Sequence, residues 1–291
     1  MLRRSYAVPL PGGRRLQLGA RTLVMGIINI TPDSFSDGGV LLDSARAIEA
    51  GVQMVAEGAD VLDIGGESTR PGALPLAEAE ERRRVLPVVE GLAARVSVPL
   101  SIDTYKAAVA DAALERGASI VNDISGLRYE PDLAQVVARR GAALVLMHTR
   151  GRSRDMYAQA DYHDVVDEVR DELRESVAFA TSAGVDSERL IVDPGLGFAK
   201  QPAHSYELLA RLDELGELGR PLLVGPSRKG FLTRPSGGES APHARDWATA
   251  AAVTVGVLRG SHMVRVHAVA EMLPVVRVAD EIRKYHRAAT S

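Results

Sequence analysis

The sequence of 291 residues predicts a single-domain (β/α)8 TIM barrel with its active site at the C-terminal ends of the strands. Three observations carry that prediction. Eight short apolar runs of strand length recur: Thr22–Ile30, Asp60–Gly66, Pro99–Thr104, Ile120–Ser125, Ala143–His148, Leu190–Gly195, Pro221–Ser227 and His262–His267. Segments of helical periodicity separate them, as parallel strands require. Each run ends in side chains that do chemistry: Asn29, Glu67, Asp103, Asn122 with Asp123, His148, Asp193, Ser227 with Lys229, and Arg265 with His267. Functional groups at one end of eight parallel strands mark the active face of such a barrel.

The elements follow in order. Tyr6–Leu10 and Arg14–Leu18 flank Pro11-Gly12-Gly13, which reads as an N-terminal β-hairpin over residues 1–20, placed to plug the barrel bottom. The barrel strands occupy 22–267, and 268–291 form the final helix and tail. Strand one, LVMGIINI, is apolar throughout, as befits a parallel strand covered on both faces. In the next helix, Asp43–Glu57, Ala45, Ile48, Val52 and Val55 share one face. Helices are expected near Leu76–Ala94, Lys106–Glu115, Pro131–Arg139, Asp161–Ser182, Ser205–Leu215, Asp246–Arg259 and Val269–His286. Gly117, Gly141, Gly184 and Gly260 are their C-cap candidates. Four long linkers, Thr31–Leu42, Ser68–Pro75, Thr149–Ala160 and Leu232–Ala244, all follow strands, and so lie on the functional face.

Composition narrows the function. A net charge of −3 makes no case for nucleic acid or an anionic membrane surface. With no Cys, disulfides and thiolate metal sites are excluded. No apolar stretch approaches the roughly 18 residues that cross a bilayer, and Met1–Ala7 leads into no apolar core of a secretory signal. A cytoplasmic protein is expected. The chain has 31 Arg but four Lys, and only two Asn, Asn29 and Asn122. Both Asn residues and Lys229 stand at strand ends.

Four constellations carry the chemistry. The first, Asn29 to Gly39, joins an amide able to bind a metal or a polar ligand to a loop with Phe35 and Asp37. The second, Asp63 to Gly72, has glycines that admit a ligand close to the backbone and, in Arg70, a planar fork for carboxylate or phosphate. The third comprises Asp103, Asn122, Asp123 and Asp193, acceptors suited to a nitrogen-rich heterocycle; helix capping is the plainer reading for Asp103 or Thr104. The fourth sets Ser227-Arg228-Lys229 beside Arg265 and His267, a cationic patch where barrels bind phosphate. A solvated basic turn is the plainer reading of Ser227-Arg228-Lys229, and a structural role that of a lone His. Met147 suits either core or pocket. Phe198 and Phe231 also follow strands, where flat ligands stack.

The blocks MGIINITPDSFSDGG, DIGGESTRPGA, SIDTYK, VNDISG, LMHTRG, VDPGLGFAK, GPSRKGF and RVH resemble, in order, those of the dihydropteroate synthases. The resemblance runs from Met25 to His267 and implies the same barrel. It implies condensation of 6-hydroxymethyl-7,8-dihydropterin pyrophosphate with p-aminobenzoate, giving 7,8-dihydropteroate and pyrophosphate. By similarity, Asp103, Asn122, Asp193 and Lys229 hold the pterin edge, and Met147 and Phe198 line its slot. Asn29, Arg265 and His267 hold pyrophosphate and its Mg2+, with Asn29 as the metal ligand. Phe35, Thr69, Arg70, Pro71 and Ser227 complete the p-aminobenzoate site. Asp37, Arg70 and Lys229 are the catalytic candidates, and a homodimer through exterior helices is implied. Pro226 departs from the small residue expected there. Glu67 and His148 receive no role. The rival readings are a pterin-binding methyltransferase domain, which needs no SRK or RVH, and a non-catalytic pterin-binding homologue.

Overall fold

The computed structural model describes residues 3–30, 39–70, 72–236 and 245–285. Strands β1 (Tyr6–Pro9) and β2 (Arg15–Leu18) pair antiparallel around a short turn over Pro11–Gly13. Then strand and helix alternate: β3 (Leu23–Asn29), α1 (Gly39–Ala56), β4 (Val61–Gly65), α2 (Glu78–Ala93), β5 (Leu100–Asp103), α3 (Ala107–Glu115), β6 (Ile120–Asp123) and α4 (Leu133–Arg140). The second half continues with β7 (Ala143–Met147), α5 (Val165–Ser182), β8 (Leu190–Asp193), α6 (Pro202–Ala210), β9 (Leu223–Val224), α7 (Asp246–Leu258), β10 (Met263–Val266) and α8 (Val269–Tyr285). The parallel sheet runs β8-β7-β6-β5-β4-β3-β10-β9. A parallel bridge between Val192 and Leu222 joins its two ends and closes the ring. The expected (β/α)8 barrel with its N-terminal hairpin is therefore present.

Residue alternation along the strands decides what faces where. Met25, Val61, Ile120, Ala143, Val145, Ile191, Leu223 and Met263 form the lower interior. Val8, Leu10, Leu16 and Leu18 of the hairpin join the same cluster, so the hairpin closes the bottom as expected. The alternate residues, among them Val24, Leu62, Ile102, Val121, Leu144, Val192 and Val264, pack outward against the helices. A polar clamp ties this bottom end together. The buried Arg3 donates to Gly19 O (3.1 Å), Ser261 O (2.6 Å) and Asp280 Oδ1 (3.2 Å), and Asp280 Oδ2 accepts from Thr22 N at 2.6 Å. First strand, hairpin exit and last helix thus share one ion pair.

Some expected boundaries shift for identifiable reasons. Strand seven shortens to Leu223–Val224 because Pro221 and Pro226 on either side lack the N–H that a ladder needs. In α1 the inward face is Ala47, Ile48, Val52 and Val55, while Ala45 is exposed. Ala47 and Ile48 lie four and three residues before Gly51, so the small residues rotate the packed stripe by about one position. Helix α5 starts at Val165 rather than Asp161, because Asp164 caps it by accepting from Val166 N and Asp167 N. The four C-cap glycines all adopt positive φ. Among the described residues no helix is long and apolar enough to cross a membrane.

Candidate active site

The register alone lines up the mouth. Asn29 pairs with Gly65, Gly65 with Asp103, Asp103 with Asn122, and Met147 with Asp193. These positions have the parity of the lower interior residues, so their side chains point into the barrel. Thr69, Asp103, Asn122, Met147, Asp193, Phe198, Lys229 and Arg265 line one cavity there. Eight of the residues singled out in the sequence therefore meet in one place.

Asp63, which opens the second constellation but has no role assigned from the sequence, organises them. It is fully buried, and its Oδ2 accepts from Arg265 Nε (2.6 Å) and Asn122 Nδ2 (2.9 Å). Arg265 Nη2 donates to Asp103 Oδ2 at 2.6 Å. One guanidinium from β10 thus holds carboxylates of β4 and β5. Asn122, which also lines the cavity, commits one amide hydrogen to Asp63, and this sets the direction of its amide. The signal for Asp63 was available: it is a charge inside the apolar run VLDIG, with the parity of Val61 and Gly65.

Electrostatics follow from burial against neighbours. Burial pushes the Asp103 carboxyl up, and Arg265 opposes it. The net result is a carboxyl raised to about 7, with the Arg265 guanidinium 2.6 Å away limiting the rise. Burial raises Asp193 to about 6, against the Gly195 N–H (2.7 Å) and the Lys229 charge. Burial, then repulsion by Arg265, lowers Lys229 to about 7. Its Nζ lies 3.6 Å from the centre of the Phe198 ring. The cavity thus presents an acidic edge, one amide and one ammonium, a pattern that fits a ring rich in N–H with a carbonyl alongside.

Beside it lies a second cluster. His267 Nδ1 is 2.9 Å from Ser227 Oγ, and His267 Nε2 is 3.4 Å from Asn29 Nδ2. Burial, then the charges of Arg265, Arg228 and Lys229, holds His267 down to about 3, so its ring is neutral at pH 7. With Nε2 accepting from Asn29, the ring proton sits on Nδ1 and Asn29 Oδ1 remains for an oxygen-seeking ligand. The turn of GPSRKG divides its cations. Arg228, at φ +57°, pairs outward with Asp246 (2.8 and 2.9 Å), and Lys229 N donates to Pro226 O (3.2 Å). Pro226 therefore supports the turn that aims Lys229 inward.

Other expectations meet corrections. Asp123 is not a cavity residue: it has the opposite parity to Asn122 and accepts from Ser125 N, Ser125 Oγ and Leu127 N, shaping the turn after β6. The capping reading holds for neither Asp103 nor Thr104: the N-cap of α3 is Lys106, without a side-chain cap, and Thr104 Oγ1 accepts from Lys106 N at 3.2 Å in the turn before the helix. Arg70 is exposed and does not line the cavity. Phe35, Asp37 and Pro71 lie outside the described residues. Phe231 is buried against Tyr206 with ring centres 5.4 Å apart. Glu67 gains a place: it accepts from Leu76 N (3.1 Å), Tyr105 OH (3.2 Å) and Lys106 Nζ (2.5 Å), anchoring the loop after β4 to the start of α3.

Fold and cavity together define a pterin-binding barrel, and the comparisons agree. The family described as pterin binding enzyme matches residues 25–267. The dihydropteroate synthase of Synechocystis sp. is 44% identical, covering 95% of this chain and 96% of that protein. Two solved structures of Xanthomonas albilineans dihydropteroate synthase superpose well. The one with 4-aminobenzoic acid has a TM-score of 0.87 at 43% identity, covering 95% of this chain and 98% of that one. The one with 7,8-dihydropteroate has a TM-score of 0.84 at 40% identity, covering 94% and 99%. The chain belongs to the dihydropteroate synthase family.

The raised Asp193 carboxyl has a consequence for stability. The folded group, at about 6, holds a proton that the unfolded chain, near its ordinary 3.8, has already released. Between those values the group's contribution to stability falls as pH rises. At pH 8 Asp193→Asn is therefore expected to raise the melting temperature, by about 2–4 °C. A melting temperature at or below that of the wild type at pH 8 contradicts this.

Proposed function

We propose that this chain condenses 6-hydroxymethyl-7,8-dihydropterin pyrophosphate with p-aminobenzoate, as a transferase of folate synthesis, with the roles divided around the barrel mouth. The observation that carries the reading is the adjacency of two unlike clusters. Acceptors from β5, β6 and β8 face one cavity with Lys229 and Arg265, and Asn29, His267 and Ser227 form a second cluster at neighbouring strand ends. The first suits the pterin edge and the second suits pyrophosphate.

In this reading Asp103, Asn122 and Asp193 accept from the pterin N–H groups, and Lys229 donates to its carbonyl. Met147 and Phe198 form the apolar walls. The C–O bond to pyrophosphate breaks, its electron pair leaving on oxygen, and the pterinylmethyl carbon is left electron-poor. Arg265 and Lys229 stabilise the departing charge. The amine of p-aminobenzoate then forms the new C–N bond and gives up its proton to solvent. Placement and exclusion of water suffice for this step. Thr69, Arg70, Phe35, Pro71 and Ser227 would hold p-aminobenzoate, and Asp37 would face the developing cation; these roles rest on the resemblance.

The donor set suits Mg2+ brought in by the substrate. Among the described residues no three His, Asp or Glu gather to hold a metal unaided. Asn29 Oδ1 offers one oxygen, and Mg2+ commonly takes its remaining ligands from phosphate and water. When bound, the ion supplies charge neutralisation to the leaving pyrophosphate. Release of pyrophosphate that depends on p-aminobenzoate and Mg2+ tests the reading, and no release with p-aminobenzoate sinks it. Asn29→Ala is expected to lower kcat at least about tenfold while pterin affinity changes by less than about threefold. Equal turnover at saturating Mg2+ removes Asn29 from this role.

We further propose a homodimer through α7 and α8. Trp247, the sole tryptophan, is 88% exposed, and Val255, Val278, Ile282 and Tyr285 are also exposed on these two helices. Val278, Ile282 and Tyr285 fall at i, i+4 and i+7, one apolar face toward solvent. Trp247→Glu is expected to shift sedimentation from twice the chain mass to the chain mass, and a monomeric wild type contradicts the proposal. The cytoplasm is the compartment we propose, since a chain with no cysteine suits a reducing milieu.

A further inference from the structure

Lys200 is the largest fully buried side chain among the described residues, 1% exposed, and it has no part in the chemistry above. A lysine is almost never buried without a reason. Its Nζ donates to the Phe198 carbonyl at 3.0 Å and to His148 Nδ1 at 2.8 Å, with the His148 carbonyl at 3.4 Å. All three are acceptors for Nζ, although burial disfavours its charged form and brings the lysine down to about 7. Phe198 is an apolar wall of the cavity, and His148 directly follows Met147, the other.

Alternation explains why His148 never reaches the cavity. Met147 continues the inward parity of Ala143 and Val145, so His148 turns outward toward α5. There His148 Nε2 meets Glu172 Oε2 at 3.1 Å. With Nδ1 accepting from Lys200, the ring proton sits on Nε2 and is donated to Glu172. Arg128 (2.7 Å) and Arg150 (Nε, 2.8 Å) hold Glu172 in turn. The backbone between the walls is tight: a Cβ on Gly195 (φ +67°) would come within 2.0 Å of the His148 carbonyl. Ala199, beside Lys200, adopts φ +48°, a cost that the neighbouring contacts must offset.

The geometry points to Lys200 as a positioning residue that sets the spacing of Met147 and Phe198, the walls of the pterin slot, with His148 and Glu172 as its backing. Its Nζ grips the chain next to each wall from behind and touches no reacting atom. Phe198 in turn carries Lys229, whose Nζ lies over its ring, so the same grip places the pterin's ammonium partner. This inference rests on the pterin reading of the cavity.

Lys200→Met keeps length and removes the donors. It is expected to raise the Kd of 6-hydroxymethyl-7,8-dihydropterin pyrophosphate, measured by calorimetry, at least about tenfold, with KM for p-aminobenzoate within about twofold. His148→Phe keeps the ring and removes both nitrogens; a rise of at least about threefold is expected, and this variant decides the matter should Lys200→Met fail to fold. A merely structural lysine would lower the melting temperature and leave the pterin Kd of the folded fraction unchanged. That result, in either folded variant, overturns the inference. A wild-type protein that binds no pterin overturns the pterin reading instead, so the two failures are distinct.

Discussion

The barrel mouth depends on one guanidinium. Arg265 reaches from β10 past β3 to Asp63 on β4 and Asp103 on β5, with 2.6 Å contacts to each. Isolated carboxylates at such depth would take up protons rather than stay charged. Arg265 is itself pushed down by burial, yet its two carboxylates more than restore it, and its pKa stands above the ordinary value. The pairing keeps acceptors available where a nitrogen-rich ring needs them. It also explains why the Asn122 amide has a fixed direction, since Asp63 binds both groups through the same oxygen.

That arrangement carries a cost in stability. Asp193 is raised and Lys229 lowered from their ordinary values, chiefly by burial. Each is therefore held less comfortably folded than unfolded at neutral pH, and a ligand that bonds to both relieves the penalty. The scaffold offsets this elsewhere. The Arg3–Asp280 clamp closes the bottom, and the helix layer packs on strand residues of uniformly outward parity. Function sits at the strained end of the barrel and stability at the other.

Much of this was legible in the sequence because a parallel barrel repeats one simple pattern. Eight apolar runs locate the strands, and the long linkers after them identify the functional face. Thr69, Asp103, Asn122, Met147, Asp193, Phe198, Lys229 and Arg265 then converge as expected. Two strand ends that stay out of the cavity share one physical cause. Asp123 and His148 stand at strand ends too, but on the outward parity, and a run's end does not say which way its last side chain points. Counting by twos from the buried interior residues would have sorted them, and would have drawn Asp63 in. The Arg3–Asp280 contact has no local trace, because its partners are 277 residues apart. Lys200 was visible only as a rare lysine; that it lies buried behind the slot is a property of packing.

The division of labour at Arg265 can be probed apart from pyrophosphate. An arginine that served the leaving group alone would matter only to the pyrophosphate ester. An arginine that organises Asp63, Asp103 and Asn122 matters to the bare ring as well. The decisive measurement is the calorimetric affinity of Arg265→Met for 6-hydroxymethyl-7,8-dihydropterin without its pyrophosphate. A loss of at least about tenfold relative to the wild type is the predicted result; an unchanged affinity would contradict the account.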